Sequence, residues 1–235
     1  MFKKKPVVID CYTYDRAAYT FFKPAKGIKF LPQWWKDLPN DAPDNFKNMK
    51  GCAGLIDYYK NGIVIPAWSY FNLGIRNKEV SWFAKNGQVD FHAPAQRGDF
   101  ASNFVQCKLL SPWAFSCSEE INFLWNIPLW SFTDPEKIIN LQGILNFKYQ
   151  NATNVNLLFK DSEDGYEFTI KEGTPLAILH PITEREVVLK YHYVDKQKWE
   201  EISVVRYPSR RFDYLNAKKA LKSLESKCPF GFGGK

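Results

Sequence analysis

The sequence predicts a mainly β protein: an antiparallel β-sandwich or jelly-roll-like domain with a C-terminal helix. Three observations carry this expectation. Short apolar runs recur between prolines and glycines through the first 135 residues, as in FKPAKG, LPQWWKDLPNDAP, HAPAQRGD, SPWAF and NIPLWSFTDP. Such punctuation suits short strands joined by turns and argues against a long helix bundle. Apolar and polar residues alternate on both sides of Asn86-Gly87 and again through much of 152–195, the period of a strand with one buried face. Only the end of the chain carries a clear three- and four-residue apolar period.

The elements follow in order. VVIDCYTY at 7–14 reads as a strand near the start. PQWWKDLP reads as one helical turn, with Pro32 in the first helical position and Pro39 closing it. Ile63, Val64 and Ile65 form a buried strand that Pro66 ends, bulges or confines to an edge, because proline has no donor for a ladder bond. Val80, Trp82 and Ala84 alternate up to Asn86-Gly87, and Val89 and Phe91 resume beyond it, which predicts a hairpin over 80–92. FVQCKLLSPW, EINFLWNIP and GILNFKYQ supply further strands. From 152, TNVNLLF, YEFTI and LAILHPI are expected to form three antiparallel strands of one sheet, with turns at 161–165 and 172–175 and REVVLKYHYVD following. In KEGTPLAILHPI, Gly173 permits the turn, Pro175 sets the entry, and Leu176, Ile178 and His180 share one parity. Those features account for the motif as structure, without chemistry.

The tail reads as a helix over 213–227. Asp213 caps it; Tyr214, Ala217, Leu221 and Leu224 make one apolar stripe; Lys218, Lys219 and Lys222 fall off the stripe; Lys227 complements the C-terminus. Pro229 ends it. The organisation expected is therefore a loop-rich segment 1–60 packed on the main domain, an antiparallel β domain over 61–212, the helix 213–227 and a flexible tail 228–235.

Composition bounds the function. With 45% hydrophobic residues in a chain of 235, there is enough apolar surface for a substantial core, and disorder is not expected. Aromatics make up 17%, enough that some rings are expected on an exposed patch. No run approaches a membrane span, and Asp10, Asp15 and Arg16 interrupt the start before a signal-peptide core would finish. An uncleaved intracellular protein is expected. Five cysteines without CxxC spacing are expected to be free thiols. Residues 1–60 carry eleven Lys/Arg against six Asp/Glu, 61–182 nine against twelve, and 183–235 twelve against seven, so the basic surplus sits at the two ends. If the ends meet they form one basic surface, able to steer an anion or an acidic partner. KKK at 3–5 and SRR at 209–211 are too short to be nucleic-acid motifs. Beyond RYPSRRFDY at 206–214, no alternation of Arg with stacking aromatics appears, which makes nucleic acid a weaker partner than protein.

Catalytic signatures are missing. There is no Walker loop, GxGxxG, HExxH or GxSxG. Glu119-Glu120 and Glu200-Glu201 are adjacent pairs that point to different faces when in strands, and Cys107 with His92 as base has no spacing to support it. His92, Asp90 and His180 resemble the facial triad of cupin-like iron oxygenases. The order here is Asp90-x-His92, however, and His192 lies in HxY. No metal and no cofactor is expected, and His92, His180 and His192 read as three unrelated imidazoles at a low-priority polar site.

Read together, LPQWWKDLP and CAGLIDYYKNGIVIPAWSY resemble a family of uncharacterised proteins encoded by tailed phages of marine bacteria. In that family a tryptophan-rich proline segment precedes a short cysteine-containing stretch and an apolar strand. The resemblance touches about half the chain and implies a phage or phage-like origin, hence a place in the host cytoplasm or on the virion, with no assigned activity. EGTPLAILHPI also looks like a late strand of trimeric dUTPase-type folds, which would imply a nucleotide substrate and Mg²⁺. The serine-rich phosphate motif and the placed catalytic acid of that family have no counterpart here, so only a related β-sandwich topology carries over.

The function expected is an accessory or structural protein acting through protein–protein assembly, as a homo-oligomer or with a phage protein. The binding residues would be Trp34, Trp35, Trp68, Trp82, Arg210, Arg211, Phe230 and Phe232. A β-sandwich binding a nucleotide or sugar on tryptophan faces is the alternative, and a cupin-like or dUTPase-like enzyme is the third reading. PQWWKDLP places two large rings side by side in a short turn, so an interface is expected to cover whichever ring the core leaves out.

Overall fold

The computed structural model describes residues 4–39, 48–92 and 102–203, with 218, 219, 222 and 223. The chain opens with β1 (Val7–Thr13), α1 (Arg16–Phe21), β2 (Ala25–Lys26), α2 (Gln33–Asp37) and α3 (Ala53–Asn61). It continues through β3 (Ile63–Pro66), β4 (Phe71–Arg76), β5 (Glu79–Ala84), β6 (Gln88–Asp90), β7 (Phe104–Leu110), β8 (Trp113–Ser116) and β9 (Asn122–Asn126). Then come β10 (Ile138–Asn140), β11 (Gly143–Asn146), β12 (Val155–Lys160), β13 (Tyr166–Ile170), β14 (Pro175–Pro181), β15 (Val187–Tyr193) and α4 (Lys196–Ser203). Lys218, Lys219, Lys222 and Ser223 are helical, in keeping with a C-terminal helix; the rest of the predicted helix 213–227 lies outside the described residues. The fold is a strand-dominant α/β domain.

Four open sheets form, with orders β15-β1-β8, β10-β12-β7-β6, β11-β9-β14-β3-β2 and β13-β4-β5. Among the described residues one pairing is parallel, β1 with β15, and the rest are antiparallel. Two long ribbons cross from sheet to sheet. In the first, β3 and β4 run beside β14 and β13, and the N–H groups of Ala67 and Gly173 carry the ladder past the corner to Thr174 O and Ala67 O, each at 2.8 Å. In the second, β7 pairs with β12, and the Ala114–Ala152 bridge and the Phe115 N–H to Asn151 O bond extend the ladder along β8. Gly173, at φ +81, makes the tight turn read from the sequence.

Several pairings differ from expectation. The strands of 152–195 all form, yet β12, β13, β14 and β15 fall in four different sheets, so the expected three-stranded antiparallel sheet is replaced by non-local pairing. The hairpin over 80–92 also does not form: β5 pairs with β4 and β6 with β7. Asn86-Gly87 is a corner between sheets. Gly87 is required for close approach, since a Cβ there would stand 2.5 Å from the Phe71 ring. The tight hairpin lies at Asn77-Lys78, both at positive φ (49 and 64), as a two-residue primed turn demands. Asp161 holds it by accepting the Lys78 N–H at 2.8 Å. The purely antiparallel expectation is corrected as well, since β1 is the central strand of its sheet with a parallel neighbour. Its burial alternates strictly, with Val7, Ile9, Cys11 and Thr13 inward.

Adjacent acidic residues tie down the two basic ends. Glu119 takes Arg185 in a bidentate pair at 2.5 and 2.9 Å, and Arg185 also donates to Lys5 O and Pro6 O. Glu120 faces the other way, pairing with Lys218 at 2.6 Å and Lys222 at 3.0 Å and accepting the Tyr149 hydroxyl at 3.1 Å. The hydrogen bonds from the two lysines hold its carboxyl at about 2, below the ordinary 4.5. A depressed carboxylate contributes stability that is complete above its unfolded value and lost as pH falls through the folded one. The Lys218–Lys222 segment is therefore expected to detach between pH 4.5 and about 2. Pepsin digestion checks this: cleavage near Lys222 should appear in that window ahead of any loss of near-UV dichroism, and Glu120→Gln should bring it to higher pH. Simultaneous loss of both signals would contradict it.

Candidate functional site

The two segments rich in paired aromatics meet at one end of β14. Asn48 caps the turn before α3 by accepting the Lys50 N–H at 2.9 Å, and α3 then lies close against the sheet. Two glycines permit this approach. A Cβ on Gly62 would stand 2.6 Å from Ile178, and one on Gly27 would stand 2.7 Å from Tyr59 O. A continuous ring array results: Trp34 on Trp35 (5.8 Å), Trp35 on Tyr59 (5.6 Å), Tyr59 on Trp130 (5.4 Å), Trp130 on Tyr58 (5.2 Å) and Tyr58 on His180 (4.2 Å). Trp35 is 6% exposed and Trp34 42%, so the core takes one ring and leaves the other at the surface.

A groove of 800 Å³ opens beside His180, bounded by Lys26, by Asp57 and Tyr58 of α3 and by the turn carrying Arg185. His180 Nε2 lies 2.9 Å from Tyr58 O. Since a carbonyl only accepts, Nε2 carries the proton and Nδ1 is the lone-pair nitrogen. Burial lowers the His180 pKa and outweighs the opposing hydrogen bond, which keeps the ring neutral at pH 7. Burial likewise lowers Lys26, against the pull of Glu186, and pushes the Tyr58 and Tyr59 hydroxyls up to about 12. Arg185, committed to Glu119 and two carbonyls, is a clamp. Asp57, Lys60, Glu184 and Glu186 also line the groove.

The other predicted polar residues disperse. His192, on β15, takes Asp10 at 2.8 Å and stacks on Tyr12 at 4.6 Å. His92 follows β6, its N–H bound by Gln106 at 2.7 Å, while Asp90 pairs with Lys108 at 3.2 Å. The three imidazoles thus stand at three different sheets, and no three His, Cys, Asp or Glu side chains cluster as metal ligands among the described residues. Cys107 is fully buried, with its thiol pushed to about 12, which removes it as a nucleophile. Cys11, Cys52, Cys107 and Cys117 are free. Trp68 is 3% exposed at the β3–β4 corner. Arg210, Arg211, Phe230 and Phe232 lie outside the described residues, and no described helix is long and apolar enough to cross a membrane.

Two exposed rings stand side by side on β5, apart from Phe21 on α1 at 75% and Tyr193 on β15 at 53%. Strand β5 is the edge of its sheet, paired on one side with β4. Consecutive Trp82 and Phe83 point to opposite faces, at 44% and 61% exposure, and Phe91 after β6 adds a third ring at 41%. Trp82 was singled out in the sequence, whereas Phe83 and Phe91 were not. The missed signal is WF within a strand, because adjacent rings there must occupy both faces. No protein-family model matches the chain, and no curated protein sequence matches it.

Proposed function

We propose that this is an assembly protein of phage-like origin, acting in the host cytoplasm or on the virion, that self-associates through the aromatic edge of β5. The observation that carries the reading is a strand edge, unpaired among the described residues, that bears Trp82 and Phe83. Exposed, apolar edges of this kind template strand addition unless blocked. Two bent ribbons wrapping one core support a jelly-roll-like reading of the architecture.

The sequence of the strand sets the register. Two β5 strands placed antiparallel about Trp82 bring Glu79 of each opposite Lys85 of the other, with the two Trp82 rings at the dyad. Glu79 and Lys85 are both exposed. Like charges directly opposite destabilise such a pair. In light scattering over a concentration series, the native protein should form dimers that persist in moderate salt, and Trp82→Ser with Phe83→Ser should be monomeric. Glu79→Lys should weaken the dimer roughly tenfold, at about 0.5–1 kcal/mol for each of two repulsive pairs, and adding Lys85→Glu should restore it. A native protein that stays monomeric throughout would overturn the reading.

A further inference from the structure

The outer face of the five-stranded sheet is only half covered. α3 lies over β14, with Gly62 against Ile178 and the Tyr58 ring on His180. His180 pairs in register with Leu124 of β9, and Leu124 with Ile144 of β11, so the three side chains form one row across three strands. The helix takes the first of them. Leu124 and Ile144 stand bare beyond it, at 39% and 62% exposure.

The row ends on an open main chain. β11 is the last strand of its sheet, with β9 as its neighbour. The Ile182 N–H binds Asn122 O at 2.9 Å, so the main-chain groups of Asn122 and, by alternation, of Leu124 face β14. Phe123 and Trp125 are left to bond Leu145 and Gly143, which turns the N–H and C=O of Ile144 outward. Asn146 agrees in direction: its carbonyl points away from β9 and accepts the N–H groups of Tyr149 and Gln150 at 3.0 and 2.9 Å. Ile144 has no such partner among the described residues. It offers one donor, one acceptor and a large apolar side chain, the features an added strand uses.

The last part of the chain is tied down beside this edge. Lys218 and Lys222 both hold Glu120, two residues before β9 begins. From Glu120 to Leu124 the chain spans at most about 14 Å. Phe230 follows Lys222 by eight residues, which reach up to about 28 Å, so the distance is covered with length to spare. The sequence CPFGFGGK also suits the edge. In an extended segment Phe230 and Phe232 share one face, Gly231 adds no side chain to the other, and Pro229, without an N–H, precedes the pairing. A segment that leaves Glu120 passes from Asn146 toward Gly143, antiparallel to β11. Tethering makes a weak contact sufficient, because a short linker holds its end at about millimolar effective concentration. We propose that residues 229–232, which lie outside the described residues, add as an antiparallel strand to β11, with Phe230 opposite Ile144 and the two rings over Leu124 and Ile144. The inference does not depend on assembly through β5.

Amide exchange at Ile144 tests it. In ¹⁵N-labelled full-length protein the Ile144 N–H, which the sheet itself leaves unbonded, should exchange roughly tenfold more slowly than in a variant carrying Phe230→Ser and Phe232→Ser. Leu145, whose N–H bonds to β9, should exchange equally in both, and the Ile144 protection should be the same at every protein concentration. An NOE between the Phe230 ring and the Ile144 methyl groups is expected in the native protein, and it decides the matter should the double substitution disturb Leu145. Free exchange of Ile144 in the native protein overturns the inference, as does slow exchange that survives the double substitution. Protection that grows with protein concentration overturns it too, since a second copy would then be covering the edge.

Discussion

Phe147→Ala is expected to cost the fold about 3–5 kcal/mol, the largest effect of a single side chain proposed here. Phe147 is fully buried just after β11 and touches Phe115 of β8 at 5.2 Å and Phe123 of β9 at 5.0 Å. These two rings belong to different sheets, so Phe147 is the wedge between them. Truncation removes the buried ring and leaves a cavity with walls on two separate layers, which cannot close together without shifting both. Phe147→Leu, which keeps most of the volume, should cost less than half as much. Urea denaturation checks both: the midpoint should fall in that order with the slope unchanged, as for a loss of native packing. A change below about 1 kcal/mol for Phe147→Ala would refute the wedge.

Asn151→Ala comes next, at about 2–3 kcal/mol. Asn151 is 6% exposed; its side-chain Nδ2 donates to Phe115 O at 2.7 Å and Phe147 O at 3.2 Å, while its backbone carbonyl accepts the Phe115 backbone N–H at 2.8 Å. The amide therefore stands in for ladder bonds on the side of β8 away from β1, where Ala114 bridges to Ala152. Removing the amide leaves carbonyl oxygens short of donors away from water, where the loss is felt in full. Asn151→Asp is the sharper variant. It keeps the shape but replaces the donor with a buried acceptor facing two carbonyls, and should destabilise at least as much as Ala at neutral pH. If Asp proves harmless there, the amide is not acting as a donor.

Strands were legible in the sequence because their signal is local. The alternation of β1, the proline that ends β3 and the run LAILHPI each fix an element from its own residues. Pairing was not legible, because it depends on partners far along the chain. LAILHPI shows the difference: β14 lies between β9 and β3, so Leu176, Ala177, Ile178 and Leu179 are all buried and parity has little to decide. The misread turn has a similar origin. Asn-Gly is the usual mark of a primed hairpin, but here its glycine makes room for Phe71, and the primed turn uses Lys78 with support from Asp161. The short helices did leave a trace. Asp15 caps α1 by accepting the Ala18 N–H, and Asp195 accepts the Lys198 N–H at the start of α4. At the site, WW told of one ring in and one out, whereas the array that joins Trp35 to His180 required distant elements to meet.

The parallel pairing of β1 with β15 bears on the order in which the protein can be made. Val7 pairs with Val187 and Thr13 with Tyr193, so β1 leaves the ribosome well before its parallel neighbour exists. Its other neighbour, β8, arrives about halfway, with Thr13 opposite Trp113. During synthesis β1 therefore holds an open edge flanked by Val7, Ile9 and Cys11, residues that are sealed from water in the finished molecule. Contacts of such long sequence separation make folding slow and leave apolar edges exposed to aggregation in the interval.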